Sequence, residues 1–288
     1  MASPLSAARP SGVTARGTRA FPWLPAVSLI AGLTFCADLP EAQAEPFKST
    51  SIHIETNASG CQMGVQMLFD ADGIAELSIE DPNGEVVFSS QTPVGMEDTH
   101  NQTEGLQEHV EPPIIELENA LGCDPSTDAI SLEELFAAWP AGRYEFKATN
   151  GVANLEGGAR LTHKIPAGPV ITAPADGTVV PHDEPLLIEW NKVTGPILPN
   201  LGPVQIVGYS VVVKDVTAPE LSGPLPPAAF DIDVPEKEAS VIVPKQYLAP
   251  NRIYEFKVLS TEKGGNQTIT EGGVFCTRPI APANCELP

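Results

Sequence analysis

The sequence predicts a mainly β protein of two tandem β-sandwich domains, the first of which carries a short helical insertion. Several stretches alternate apolar and polar residues, the period of two that places one face of a strand in a core. In residues 254–258, for example, Tyr, Phe and Val alternate with Glu and Lys. The 288 residues suffice for about two domains. We expect a signal peptide (residues 1–44), a first β-rich domain (45–166), a second sandwich (167–277) and a C-terminal tail (278–288).

The segment expected to be a signal peptide has basic residues and no acid before Asp38, followed by an apolar run over residues 21–37. Small residues at 42–44 offer a cleavage site. The apolar run is short and broken by prolines, which favours a cleaved leader over a membrane span. No membrane span is expected in the mature chain. A lipoprotein anchor at Cys36 is the alternative, although the bulky Phe35 precedes the cysteine where lipidation signals need a small residue.

The first domain begins with three alternating stretches, at residues 52–55, 65–69 and 75–80, which predict half-buried strands. Asp81-Pro82-Asn83-Gly84 predicts the turn of a hairpin between residues 74–80 and 85–89. Residues 94–110 are polar and lack periodicity, which predicts a loop. Strands return at residues 140–148 and 159–164, and the Pro-Ala-Gly-x-Tyr-x-Phe stretch at the first of these resembles the turn and strand of bacterial Ig-like sandwich domains.

Two short helices are predicted between the loop and the returning strands. Pro113 can begin the first helix and Gly122 can end it, with an apolar stripe between them. Ser131 and Glu134 have the spacing of a capping box, and Pro140 ends the helix that follows.

The second domain contains a strand preceded by a tight corner. Leu248 and Pro250 mark this corner, and Tyr254 lies just inside the strand. A tyrosine in this place can return its hydroxyl to the backbone of the corner, which pairs a polar group that would otherwise be buried alone. Upstream, Trp190 ends the run 186–190, and Tyr209 opens the alternating run 209–214.

Residues 167–277 resemble a fibronectin type III domain. The resemblance is carried by the order of four residues in the sequence: Trp190, Tyr209, Leu248 and Tyr254. The resemblance implies a core tryptophan on the second strand, Tyr209 on the third, and a corner leucine and tyrosine. The chain departs from the family in a longer loop at residues 194–203 and a proline-rich segment at 219–227. The family usually provides spacer or adhesion units beside other domains. No Arg-Gly-Asp tripeptide occurs, so integrin binding is not carried over.

The two proline-bearing loops are the places where we expect binding, because the strands of a sandwich are committed to its core. Proline lowers the entropy that a loop loses when a partner holds it. Protection of exposed strand edges from aggregation is the other interpretation of these prolines, and it is the favoured one.

The formal net charge of -21 argues against nucleic acid and anionic membranes as partners, because phosphate neutralisation needs Lys and Arg. Removal of the leader leaves four cysteines, which is typical of an oxidising compartment. Of the three possible pairings we favour Cys61 with Cys123 and Cys276 with Cys285, since each pair lies within one region of the chain. A metal site of four thiolates is the alternative, but no two of these cysteines form a C-x-x-C pair.

Motifs for catalysis, nucleotide binding or zinc hydrolysis do not occur, and we expect no catalytic residues, cofactor or metal. His100 and His109 lie among acids and could hold a transition metal, but a solvated loop is the favoured interpretation. Asp70-Ala71-Asp72-Gly73 opens like a calcium loop, yet Ile74 interrupts the ligand series, which favours an inter-strand turn. Three N-glycosylation sequons, at Asn57, Asn101 and Asn266, are interpreted as turn and loop residues.

Three classes of function follow from the sequence. The favoured one is a secreted or periplasmic, non-catalytic binding module, with a protein or a polysaccharide at the cell surface as its partner. The second is a structural or envelope-assembly scaffold. The third is a small hydrolase in the first domain, which would need carboxylates or histidines to converge in one pocket.

We predict that the mature protein contains two disulfides and no free thiol. In the chain-entropy model the Cys61–Cys123 bond contributes roughly 4 kcal/mol and the shorter Cys276–Cys285 loop about 3 kcal/mol. Mass spectrometry of the unreduced, proteolysed protein should recover Cys61 linked to Cys123. Recovery of alkylated Cys61 without prior reduction would contradict the pairing.

Overall fold

The computed structural model describes residues 44–96, 101–217 and 229–287. The expected signal peptide, Cys36, His100 and the segment 219–227 lie outside these residues, apart from Ala44 at the end of the leader. Strands dominate the described chain, and their sheets form a mainly β fold, as the sequence predicts.

The first sandwich consists of two sheets that face each other across an apolar core. Its strands are β1 (Glu45–Pro46), β2 (Ser49–Asn57), β3 (Gln62–Ile74), β4 (Glu76–Glu80), β5 (Val86–Gln91), β6 (Gln102–Glu108), β7 (Gly142–Thr149) and β8 (Asn154–Leu161). One sheet has the order β1-β8-β7-β4-β5, and β2, β3 and β6 lie side by side in the other. The helical insertion between β6 and β7 consists of α1 (Ile115–Leu121) and α2 (Leu132–Ala138).

The second sandwich follows after a short linker. Its strands are β9 (Val170–Ala173), β10 (Thr178–Val180), β11 (Leu186–Asn191), β12 (Ile206–Asp215), β13 (Ala229–Pro235), β14 (Ser240–Val243), β15 (Ile253–Glu262) and β16 (Gln267–Thr277). Strands β14, β11 and β9 form one sheet, whereas β13, β12, β15 and β16 lie in the other. Short 3-10 helices occur at Pro199–Leu201 and Pro282–Asn284.

The two sandwiches share a strand topology. In each, a short early strand pairs in parallel with the last strand (β1 with β8, β10 with β16). The last strand is antiparallel to the penultimate one, which in turn is antiparallel to the fourth strand (β7 with β4, β15 with β12). The fifth strand of each sandwich is antiparallel to the fourth (β5 with β4, β13 with β12), and the other three strands form an antiparallel group. The fold class expected from the alternating patterns is therefore confirmed.

The predicted hairpin and helices are present. Asp81 Oδ1 accepts hydrogen bonds from the backbone N–H groups of Asn83 and Glu85, both at 2.8 Å, and so closes the turn between β4 and β5. Ser131 and Glu134 form the complete capping box of α2. The first helix ends at Gly122, which has φ 81°, a left-handed conformation that glycine adopts at little cost.

Two local predictions are wrong. The stretch expected to be a loop, residues 94–110, contains β6, a polar strand at the edge of its sheet, where side chains face solvent and the alternating apolar signal is lost. Residues 70–73, expected to form a turn, continue β3 through a register irregularity between Asp70 and Ile74. The chain changes sheet at Ala75 instead.

The corner of the second sandwich is closed by Tyr254, which is 1% exposed. Its hydroxyl accepts a hydrogen bond from Ala249 N at 2.8 Å and donates one to Tyr247 O at 3.3 Å. Leu248 is buried in the same core. Tyr-Glu-Phe-Lys occurs at residues 144–147 as well as 254–257. Tyr144 likewise donates its hydroxyl proton to a corner carbonyl, Pro140 O, at 3.1 Å.

The remaining two residues named by the resemblance lie together in the second core. The ring centroids of Trp190 and Tyr209 are 5.3 Å apart, and both side chains are buried. Tyr209 is anchored by its hydroxyl, which accepts a hydrogen bond from Val193 N at 2.9 Å.

We predict that Tyr254→Phe lowers the free energy of unfolding by roughly 1 to 3 kcal/mol, because the Ala249 N–H loses its partner in a buried corner. Trp190→Ala should cost more, roughly 3 to 5 kcal/mol, since it empties core volume. Denaturant unfolding measures both, and unchanged midpoints in both variants would contradict the assigned core.

Candidate functional site

The two sandwiches are joined through a shared sheet. Strand β2 of the first sandwich pairs in parallel with β16 of the second, with Glu55 opposite Gln267 and Asn57 opposite Ile269. This pairing links β2, β3 and β6 of the first sandwich to the larger group of strands of the second, and the result is one eight-stranded sheet, here called the composite sheet. The other half of β16 pairs with β10, so that both halves of its edge are covered. The described residues accordingly fall in one compact unit.

Asn266, the residue immediately before β16, holds this joint together and is fully buried. Its Oδ1 accepts a hydrogen bond from Ile54 N of β2 at 2.8 Å. Its Nδ2 donates to Thr162 O at 2.8 Å, to Thr162 Oγ1 at 3.0 Å and to Lys164 O at 3.0 Å. One amide therefore connects the last strand of the second sandwich, a strand of the first sandwich and the linker between them.

Two further buried hydroxyls fix the linker to the second sandwich. Thr268 Oγ1 donates to Pro166 O at 2.7 Å, and Ser260 Oγ donates to Ala167 O at 2.8 Å. Because the linker's carbonyls are paired with side chains that are themselves buried, a hinge here would have to break several hydrogen bonds together.

The loop at residues 194–203 has a different role from the one expected. Leu198 is 6% exposed and lies in the core of the first sandwich, and Ile197 and Leu201 pack against that core. Ile197 N also donates to Ile165 O of the linker at 3.0 Å. The expectation of a free binding loop is wrong for this segment, because its apolar side chains are used to join the sandwiches. The other such loop, residues 219–227, lies outside the described residues.

Both favoured disulfides are present. Cys61–Cys123 has a Cα–Cα distance of 6.3 Å and ties the helical insertion to the turn between β2 and β3. Cys276–Cys285 has a Cα–Cα distance of 5.7 Å and ties the C-terminal tail to β16. A site of four thiolates is incompatible with this pairing, since all four sulfur atoms are in disulfides.

His109 and His163 pack against aromatic rings beside the helical insertion. His163 stacks on Phe136 with ring centroids 3.7 Å apart, and its Nε2 lies 2.8 Å from Trp139 O. His109 packs edge-on against Trp139 at 4.6 Å. Burial lowers the pKa of both imidazoles, so both favour the neutral form. Within the residues that the structure describes, no group of three His, Cys, Asp or Glu side chains could hold a metal ion.

The acids considered for calcium binding form ion pairs. Lys48 Nζ lies 3.7 Å from Asp70 Oδ1 and 2.5 Å from Asp72 Oδ1. A lysine therefore contacts both carboxylates of the stretch that opens like a calcium loop.

A cluster of three acids lies at the first-sandwich end of the composite sheet. Burial raises the pKa of the Glu55 carboxyl, and the nearby charges of Glu111 and Glu108 raise it further. The pKa of Glu111 is raised by burial and by Glu108. Close carboxylates with raised pKa values are found in some hydrolases, but a packed sheet face produces the same shifts without catalysis.

A groove of about 600 Å³ crosses the outer face of the five-stranded sheet. We call it the sheet groove. It spans strands β8, β7, β4 and β5, whose registers place its polar side chains in two rows. One row reads Asn154, Thr149, Glu76 and Gln91, and the other reads Glu156, Lys147, Ser78 and Ser89.

Hydrogen bonds fix two side chains at the rim of the sheet groove. Lys147 Nζ donates to Glu80 Oε2 at 2.6 Å, and this bond raises the pKa of the lysine. Gln91 Nε2 donates to Glu76 Oε1 at 3.1 Å. The short side chains of Ser78 and Ser89 lie side by side between them and leave the depression open.

Among the described residues, no helix has the length and hydrophobicity needed to cross a membrane.

Comparisons with known proteins give similarity of structure alone. No protein-family model and no curated protein matches the chain. The FN1-FN3 domains of chicken contactin match at 10% identity with a TM-score of 0.30, over 81% of this chain and 64% of that one, which is less than two thirds. A two-domain fibronectin type III segment of chicken tenascin matches at 12% identity with a TM-score of 0.25, over 79% and 97%. Trypsin-activated alpha-2-macroglobulin from Escherichia coli matches at 11% identity with a TM-score of 0.25, over 82% and 16%.

Sequence reasoning missed both the joint and the sheet groove. Asn266 was visible only as the first residue of a sequon, and nothing local distinguishes it from a loop asparagine. Glu76, Ser78, Ser89 and Lys147 occupy polar positions of predicted strands, which read as ordinary solvent-facing residues. Asn154 and Glu156 lie ahead of the strand predicted at residues 159–164, because β8 begins at Asn154. Their clustering depends on strand order, which the alternating pattern does not encode.

We predict that Asn266→Ala lowers the free energy of unfolding by about 3 kcal/mol or more, because Ile54 N and the carbonyls of Thr162 and Lys164 lose a buried partner. Gln267→Ala is the matched control: the neighbouring side chain is only half-buried and, within the described chain, no side-chain hydrogen bond crosses the joint from it, so its removal should cost less, about 0.5 kcal/mol. Chemical denaturation measures both variants. Equal stability of the two would show that the amide does not hold the joint.

Proposed function

We propose that the chain is an exported, non-catalytic binding module that presents surfaces of two rigidly joined sandwiches to a protein or polysaccharide at the cell surface. The observation that carries this proposal is the joint. Domains in one chain usually move relative to each other unless a large interface holds them. Here three features join them. These are the composite sheet, the buried side-chain amide of Asn266, and the loop at residues 194–203, whose Leu198 lies in the core of the first sandwich.

A rigid joint supports binding for a physical reason. Surfaces that are held in one arrangement lose less conformational entropy when a partner engages them. An enzyme would instead need nucleophiles, acids or bases to converge on a reacting atom. The perturbed histidines and glutamates have explanations in packing against aromatic rings and in a crowded sheet face.

Export is supported by the two disulfides, which persist in oxidising compartments. The signal-peptide pattern of residues 1–44 agrees with this location. Assignment of the second sandwich to the fibronectin type III class belongs to the same proposal. Its support is the buried Trp190 and Tyr209 pair and the Tyr254 corner.

An envelope-assembly scaffold is the second candidate, and one observation favours it. Leu68 and Leu106 face each other across β3 and β6 on the outer face of the composite sheet, 39% and 51% exposed. An apolar pair in an exposed sheet face can mediate self-association.

The test combines partner capture with sedimentation. Mature protein, residues 45–288, is immobilised and exposed to the cell-surface fraction of its source, and the free protein is sedimented at micromolar concentration. The binding proposal expects saturable capture of a protein or polysaccharide by a monomer. Self-association that Leu106→Asp abolishes would favour the scaffold, with Val152→Asp as the control for an exposed apolar residue elsewhere. Absence of capture together with hydrolysis of a surface polymer would overturn the proposal.

A further inference from the structure

The sheet groove has the volume and lining of a built ligand site. Its volume of about 600 Å³ falls within the range of roughly 300 to 1,000 Å³ that small-ligand sites occupy. Its side chains project from four adjacent strands, so their spacing is set by the sheet, about 4.8 Å from strand to strand. A site on strands keeps its geometry without loop ordering.

The lining defines the chemistry of the ligand. The polar side chains supply hydroxyls from Ser78 and Ser89, amides from Gln91 and Asn154, and charges of both signs. An anion would meet the carboxylates of Glu76 and Glu156, and a cation would meet the ammonium of Lys147. A neutral ligand whose groups both donate and accept hydrogen bonds is complementary to all of them, because a hydroxyl can pair with a carboxylate, an ammonium or an amide.

Two other classes of ligand fit less well. Aromatic side chains that would hold an apolar ligand are absent from the lining of this groove. Its aliphatic members are Leu77 and Leu155, which are buried in the core behind it, and Ala148, which packs against that core. A peptide that binds a sheet as an added strand takes its main-chain hydrogen bonds from an edge. The middle of the groove lies over β7 and β4, and each of these strands has a neighbour on both sides.

We propose that the sheet groove binds a neutral, hydroxyl-rich chain, a segment of polysaccharide, through Glu156, Asn154, Ser78, Ser89 and Gln91. This inference rests on the proposed function, since it names one partner class and the surface that would take it. The Gln91–Glu76 and Lys147–Glu80 hydrogen bonds hold the rim in place before binding. Sugar hydroxyls then replace water on the floor and on Glu156, a solvent-exposed carboxylate on β8.

The experiment is an amide chemical-shift titration of mature protein, residues 45–288, with soluble neutral oligosaccharides as probes: cellohexaose, maltohexaose and chitohexaose. At least one probe should shift the amides of β4, β5 and β8 at the groove in a saturable way. Glu156→Ala should weaken that binding about tenfold, the effect of losing a hydrogen bond to a charged group. Ser89→Trp should abolish it by filling the floor.

Arg160→Ala is the matched control, because Arg160 is exposed on the same face of β8 as Glu156 but outside the groove. The Kd of the Arg160→Ala variant should stay within about twofold of the parent value. This change is smaller than the tenfold weakening, about 1.4 kcal/mol, expected of Glu156→Ala. Unchanged amide spectra elsewhere in each variant show that it folds. Equal weakening by Arg160→Ala and Glu156→Ala would overturn the assignment.

Two results would reject the inference. One is that no probe shifts the groove amides at concentrations up to about 10 mM, at which a ligand with a Kd near 1 mM would already approach saturation. The other is binding that Ser89→Trp leaves intact. The proposed function fails separately: a partner captured from the cell-surface fraction with equal efficiency by the parent and Ser89→Trp would keep the binding module and exclude this groove.

Discussion

The arrangement of this molecule depends on one side-chain amide. Asn266 is fully buried, and all the hydrogen bonds of its side chain go to the first sandwich and the linker. In a low-dielectric interior an unpaired amide costs free energy, whereas the hydrogen bonds of a paired amide are strong. The surrounding strands are therefore stable only in the arrangement that pairs it. Apolar packing between the sandwiches would tolerate sliding, whereas an amide that needs Ile54 N on one side and two linker carbonyls on the other does not. The β2–β16 register is fixed by the same contact.

The joint also covers a strand edge that the second sandwich would otherwise expose. The last strand of the second sandwich would expose an edge, and an exposed edge is a template for aggregation. Strand β10 covers one half of β16 and β2 covers the other. Between these halves lies Gly273, with φ 79°, where the Asp176 carboxylate accepts a hydrogen bond from Val274 N at 2.8 Å. The positive φ turns the strand so that it can change partners. Glycine is needed at this position because a side chain there would collide with the Asp176 carboxylate.

Particular residues show why part of this structure could be predicted from the sequence. Tyr254 and Trp190 occupy strands whose alternating pattern is local, and the capping box of Ser131 and Glu134 spans a single turn. Strand β6 was missed because an edge strand with polar faces has no such pattern. Asn266 was missed for a different reason: its partners Thr162 and Ile54 lie 104 and 212 residues away, and no local rule connects them. Common topology in the two sandwiches gives Tyr144 and Tyr254 similar corners, which shared ancestry and shared physical need explain equally well.

The position of the joint determines which surfaces remain for a partner. It uses the sheet that contains β2, β3 and β6, whereas the sheet groove lies on the opposite sheet of the same sandwich, beyond the core formed by residues such as Leu77 and Phe146. A ligand in the groove therefore contacts strands that are already held from behind by a packed core. Binding there needs no opening of the composite sheet. Close-packed cores move between discrete arrangements rather than deforming continuously, so occupancy of the groove should leave the Asn266 contacts, and with them the relative placement of the two sandwiches, unchanged.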